Sequence, residues 1–86
     1  MSLKRVLVTG GAKRLGRASV LELANHGWSV VIHCNASRAD ADALAATLNA
    51  KAAGSASVVQ ADLSRESETQ ELIAKAGPLT ALVNNA

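Results

Sequence analysis

Thr9-Gly10-Gly11-Ala12-Lys13-Arg14-Leu15-Gly16 is the stretch of this chain whose residue types and spacing suit chemistry. It follows the apolar run Val6-Leu7-Val8 and leads into an amphipathic pattern. A glycine-rich turn between a strand and a helix lets backbone N–H groups and the helix N-terminus close on a pyrophosphate. Tight turns need glycine whatever they bind. Gly10 and Gly16 therefore gain their meaning from the strand before them and the helix after them. Arg14 falls near the start of that helix, where the dipole opposes a cation. A bound anion removes that opposition. Lys13 has the plainer reading of a solvated loop lysine.

A second cluster lies around residues 33–38. A site for an unphosphorylated dinucleotide places a carboxylate at the end of the second strand to bond the ribose hydroxyls. Here His33, Cys34 and Asn35 stand in its place, and Asp40 already lies inside the next helix. Ser37 and Arg38 suit either an N-cap with an exposed first turn or the neighbourhood of an adenosine 2′-phosphate. The combination points to NADP(H) rather than NAD(H). Cys34 has no base nearby in the sequence and reads as a small buried residue. His26, before Gly27, reads as a surface residue complementing a helix C-terminus. Separated histidines and one cysteine make no metal site.

The elements that must position these residues alternate in type. Strands are predicted over residues 4–9, 28–34, 57–62 and 79–83, and helices over 15–26, 38–53 and 65–76. Leu15, Ala18, Leu21 and Ala24 give the first helix its expected inner face, and Gly27 its left-handed stop. Asn35 and Ser37 offer N-caps for the second helix, with Ala41, Leu44, Ala45, Leu48 and Ala52 as its apolar stripe. Ser64 is the expected N-cap of the third, Glu66 and Glu68 favour its positive end, and Gly77-Pro78 stops it. Continuous apolar strands joined by helical crossovers imply an α/β fold. It is a doubly wound parallel sheet of the Rossmann type, with its first four strands in the order 3-2-1-4.

Composition limits the alternatives. Eighty-six residues make one small domain, whose apolar half is mostly Ala, Val and Leu with Trp28 the only aromatic. A net charge of +2 from scattered basic residues, without aromatic stacking partners, argues against nucleic acid. No segment is long and apolar enough to cross a membrane, and one cysteine fits a reducing, cytoplasmic setting. The last strand would leave an apolar sheet edge. The expectation is that residues 1–86 are the N-terminal part of a single domain that continues further.

At this point the chain resembles the short-chain dehydrogenase/reductase family. That family's cofactor turn, Thr-Gly, three residues, Gly, any residue, Gly, is matched by Thr9-Gly10 through Gly16, with Arg14 replacing the middle glycine. Its acid-plus-apolar pair after the third strand is matched by Asp62-Leu63, and its Asn-Asn-Ala by Asn84-Asn85-Ala86. The segments Ala12-Lys13-Arg14-Leu15-Gly16-Arg17, Val31-Ile32-His33, Ser37 and Leu48-Asn49-Ala50 through Leu63 look like pteridine reductases in particular. Ala36 stands where those relatives carry a polar or basic residue. The resemblance implies that Gly10, Arg14, Leu15, Gly16, His33, Asn35, Ser37, Asp62, Leu63, Asn85 and Ala86 line NADPH, with Arg14 reaching toward the pterin. It implies a homotetrameric reductase whose catalytic Ser, Tyr and Lys follow the fourth strand, and so none among residues 1–86. Rival readings are a short-chain reductase of an acyl-thioester or sugar, or a non-catalytic NADP(H) sensor.

Overall fold

The computed structural model describes residues 4–85. Its elements are β1 (Arg5–Val8), α1 (Arg14–Asn25), β2 (Ser29–Cys34), α2 (Arg38–Lys51), β3 (Ala56–Gln60), α3 (Glu66–Ala76) and β4 (Ala81–Val83). All pairings are parallel, and the strand order is β3-β2-β1-β4, as expected. β2, central among them, is buried from Val30 to Cys34, which its unbroken apolar run requires of a strand covered on both faces.

Side chains alternate across the strands and build two cores. Val6, Val8, Val30, Ile32 and Cys34 pack under α1 and α2 with Val20, Ala41, Leu44, Ala45 and Leu48. Leu7, Val31, Val59 and Ala61 pack under α3 with Leu72 and Ala76. Only α3 covers the second face among the described elements. Leu82, in register with Leu7, is 61% exposed on it. Among the described strands, β4 is an outer strand of the sheet, beside β1.

Several local expectations need correction. The inner face of α1 is not the Leu15/Ala18/Leu21/Ala24 stripe. Gly16 and Val20 are buried, Ala18 is exposed and Leu15 is 76% exposed. Close packing of Gly16 on the preceding turn sets the rotation of the helix and turns Leu15 outward. Ser64 does not cap α3. Arg65 occupies that position, and the Ser64 hydroxyl donates instead to Asp62 Oδ1 at 2.6 Å. Ser37 is at the N-cap of α2 but makes no capping side-chain bond, and Ala52 has left the helix. The stop at Gly27 is as expected. The Trp28 N–H donates to Leu23 O and the Gly27 N–H to Ala24 O, a Schellman closure that the left-handed φ of 87° at Gly27 permits.

Candidate cofactor site

The C-terminal ends of β1 and β4 part where the strand order reverses, and the Thr9–Gly16 turn fills that crevice. The turn is held from three sides. From β4, the Asn85 N–H donates to Thr9 Oγ1 at 2.8 Å and Asn85 Nδ2 to Gly10 O at 3.3 Å. The Thr9 hydroxyl contacts Asn84 Oδ1 at 3.1 Å, and the Thr9 N–H donates to Val83 O at 3.0 Å. From β2, the Gly11 N–H donates to the His33 carbonyl at 2.9 Å, and the Gly10 N–H donates to His33 Nδ1, also at 2.9 Å. From within, Gly16 leaves room for the chain to double back. A Cβ there would lie 2.0 Å from Gly10 O and 2.7 Å from Asn85 Nδ2.

What this anchoring leaves outward is the N-terminus of α1. The first bond of the helix runs from the Arg17 N–H to Lys13 O, so the amides of Arg14, Leu15 and Gly16 precede it. No acidic residue lies in the first turn and no side chain caps it. Arg14 adopts φ 55°, the left-handed region in which a glycine would sit without strain. Its exposed guanidinium belongs to no ion pair among the described residues, and neither does that of Arg17. Such a terminus, open, positively polarised and flanked by unpaired cations, fits an anionic diphosphate.

A cleft of about 240 Å³ beside the turn is lined by Gly10, Lys13, His33, Cys34, Asn35 and Ser37. It brings together the turn and the 33–37 cluster, as the motif spacing suggests. Lys13 Nζ lies 3.5 Å from Asp40 Oδ2, and Arg38 Nε 3.0 Å from Asp42 Oδ1, so Lys13, which lines this cleft, and Arg38, next in sequence to its Ser37, both carry carboxylate partners. Asn35 is exposed, and its carbonyl accepts from Gln60 Nε2 at 2.7 Å. Leu15 and Asn85 instead line a separate, open groove between α1 and β4. Asp62 and Leu63 lie at the C-terminal end of β3, on the same edge of the sheet. The hydroxyl and then the amide of Ser64 hold the Asp62 carboxyl below its ordinary 3.8. Ala86 lies outside the described residues.

His33 lines the cleft with little of its surface. It is 2% exposed, with Nδ1 taken by the Gly10 amide and Nε2 2.9 Å from Ala61 O. The tautomer with hydrogen on Nε2 satisfies both partners. Its ring ties β1, β2 and β3 together beneath the site, leaving little surface for a ligand. Cys34 is buried, and that burial raises its thiol above the ordinary 9.0, as suits a packing residue. Thr9 and Asp40 were not among the residues expected at the site. Thr9 sits beside the first motif glycine, a signal available in the sequence. The position of Asp40 against Lys13 depends on how α2 docks, which no local pattern reports.

The family model for short chain dehydrogenases matches residues 4–86. The chain belongs to the short-chain dehydrogenase family. It is 55% identical over 58 residues to pteridine reductase 1 of Leishmania tarentolae, covering 67% of this chain and 20% of that protein. It is 33% identical over 87 residues to the 3-oxoacyl-[acyl-carrier-protein] reductase FabG of Staphylococcus epidermidis, covering 96% of this chain and 35% of the other. Among solved structures, FolM alternative dihydrofolate reductase 1 from Brucella canis, complexed with NADP, superposes with a TM-score of 0.90. That match is 47% identical and covers 96% of this chain and 34% of FolM. The chain thus spans about a third or less of these relatives.

Proposed function

We propose that this chain is the cofactor-binding portion of an NADPH-dependent oxidoreductase that reduces a pterin or dihydropteridine. The observation that carries the reading is the α1 N-terminus, which no protein side chain caps and beside which Arg14 stands unpaired at φ 55°. In this reading the amides of Arg14, Leu15 and Gly16 take the pyrophosphate, and Arg14 adds a charge-assisted bond. Lys13, Ser37 and Arg38 receive the 2′-phosphate, while Asp62 and Leu63 border the adenine. When bound, the nicotinamide supplies the hydride. We assign no catalytic residue to this chain, which contains no tyrosine. Its likeness to the NADP complex of FolM and to the Leishmania pteridine reductase supports both cofactor and substrate class. The reading places the protein in the cytoplasm and its intact form as a homotetramer.

The FabG likeness favours a second reading, reduction of an acyl thioester on the same cofactor platform. Titration of NADPH and NADH at fixed salt tests the cofactor. Each charge-assisted bond to the 2′-phosphate contributes about 1.5–3 kcal/mol, so two favour NADPH by at least about 100-fold. Equal affinities would overturn the assignment. Ligand-detected NMR on the NADP-loaded chain tests the substrate. Contacts to a dihydropterin are expected, and contacts to a 3-oxoacyl thioester alone would select the second reading.

A further inference from the structure

Residue 33 holds two consecutive amides of the cofactor turn, and it does so by different means. Its backbone carbonyl takes the Gly11 N–H, which any residue in β2 could do. Its ring takes the Gly10 N–H, which requires an acceptor at that one point. Gly10 sits at φ 62°, and its carbonyl receives Asn85 Nδ2, so its peptide planes are fixed at both ends. Gly10 O is also the atom against which Gly16, and with it the start of α1, is packed. The orientation of the Gly10 amide is thereby transmitted to the helix terminus that faces the ligand.

We propose that His33 is a positioning residue for the nucleotide: Nδ1 sets the Gly10 amide and so the presentation of the α1 amides. Nε2–H donates to Ala61 O, which holds the ring with Nδ1 toward the Gly10 N–H. The charged groups on the surrounding elements do not supply an alternative acceptor. Lys13 on the turn is a cation engaged with Asp40 of α2, and Arg38 of α2 is engaged with Asp42. At the β3–α3 junction, Asp62 accepts from Ser64 and pairs with Arg65, and Glu68 accepts from the Asp62 amide. The Cys34 thiol lies on the opposite face of the sheet, among the residues under α1 and α2. β4 brings only the neutral Asn84 and Asn85 to the turn.

This inference rests on nucleotide binding at the turn, and its test separates the two. His33→Asn keeps an acceptor near the Nδ1 position and cannot take a proton, whereas His33→Val has no acceptor. With both variants folded by circular dichroism, His33→Asn should bind NADPH within about threefold of the unmodified chain at neutral pH. His33→Val should bind about tenfold or more weakly, equivalent to about 1.4 kcal/mol. Full binding by a folded His33→Val overturns the proposal. If His33→Val does not fold, amide exchange in the unmodified chain decides: a Gly10 amide that exchanges as fast as an exposed loop amide overturns it. If the unmodified chain binds no nucleotide, the proposed function fails instead. The positioning role is then read in the free chain by NMR: a Gly10 amide that exchanges freely refutes it.

Discussion

Replacing Arg14 by glycine should move stability and affinity in opposite directions. Arg14 holds φ 55°, and a left-handed backbone costs an L-residue about 1–2 kcal/mol. Glycine removes that strain but costs about 0.5–1 kcal/mol through the greater freedom of the unfolded chain. The side chain makes no hydrogen bond or ion pair within the described structure, so nothing else is lost. The balance is a gain of about 0–1.5 kcal/mol, a Tm rise of up to about 12 °C for a chain of this size. Affinity goes the other way, because removing one charge-assisted bond of about 1.5–3 kcal/mol weakens NADPH by about 10- to 150-fold. Thermal melts without nucleotide and calorimetric titration with it read the two effects separately. A lower Tm would refute the strain argument. Unchanged affinity would refute the contact between Arg14 and the nucleotide, and equal losses for NADH and NADPH would place that contact on the pyrophosphate.

Gly16→Ala should destabilise the chain by about 1–3 kcal/mol and abolish nucleotide binding, because the new Cβ would lie 2.0 Å from Gly10 O; a melt at the unmodified Tm would contradict the packing. Ser37→Asp should shrink or reverse the preference for NADPH over NADH in paired titrations, by repelling the 2′-phosphate and offering the ribose hydroxyls an acceptor. Asp62 has its folded pKa lowered by Ser64, so its contribution to stability is present above 3.8 and is lost as pH falls through the lower folded value. Asp62→Asn should therefore flatten the acid side of a urea-midpoint profile, and an unchanged acid slope would count against it. Native-state hydrogen exchange should find the buried amides of β2 slowest and those of β4, beside the exposed Leu82, among the fastest; equal protection would mean that the sheet opens only as a whole.

The strand order was legible because chirality and crossover rules leave few ways to lay out alternating strands and helices. The turn was legible because Gly10 and Gly16 report backbone demands: a left-handed φ at one and lack of space for a Cβ at the other. The face of α1 was not. Its apolar residues occur all round the helix, and the close approach at Gly16, rather than the periodicity, fixes which of them turns inward. The cap at Ser64 failed for a related reason, since Asp62 competes for the same hydroxyl and wins it at 2.6 Å. His33 was placed at the edge of the site, but its bond to the Gly10 amide was not legible. Its sequence neighbours say where β2 ends, while the Gly10 amide that takes Nδ1 comes from a loop more than twenty residues away.

The carboxylates at the rim raise the question of whether Lys13 and Arg38 are available to a phosphate at all. Lys13–Asp40 spans 3.5 Å with both side chains more than half exposed, and Arg38–Asp42 is an i,i+4 pair on the helix surface. Exposed pairs of this kind contribute about 0.2–1 kcal/mol, since water screens them and ordering two long side chains costs entropy. A 2′-phosphate carries nearly two negative charges and offers each cation a charge-assisted bond of about 1.5–3 kcal/mol. Exchange of a carboxylate for the phosphate is therefore downhill at either cation. Asp40→Asn should consequently strengthen NADPH by no more than about fivefold, the size of the weak pair it removes, and leave NADH nearly unchanged. A tenfold gain would mean that Asp40 holds Lys13 away from the phosphate, and a loss would mean that Asp40 is needed to orient it.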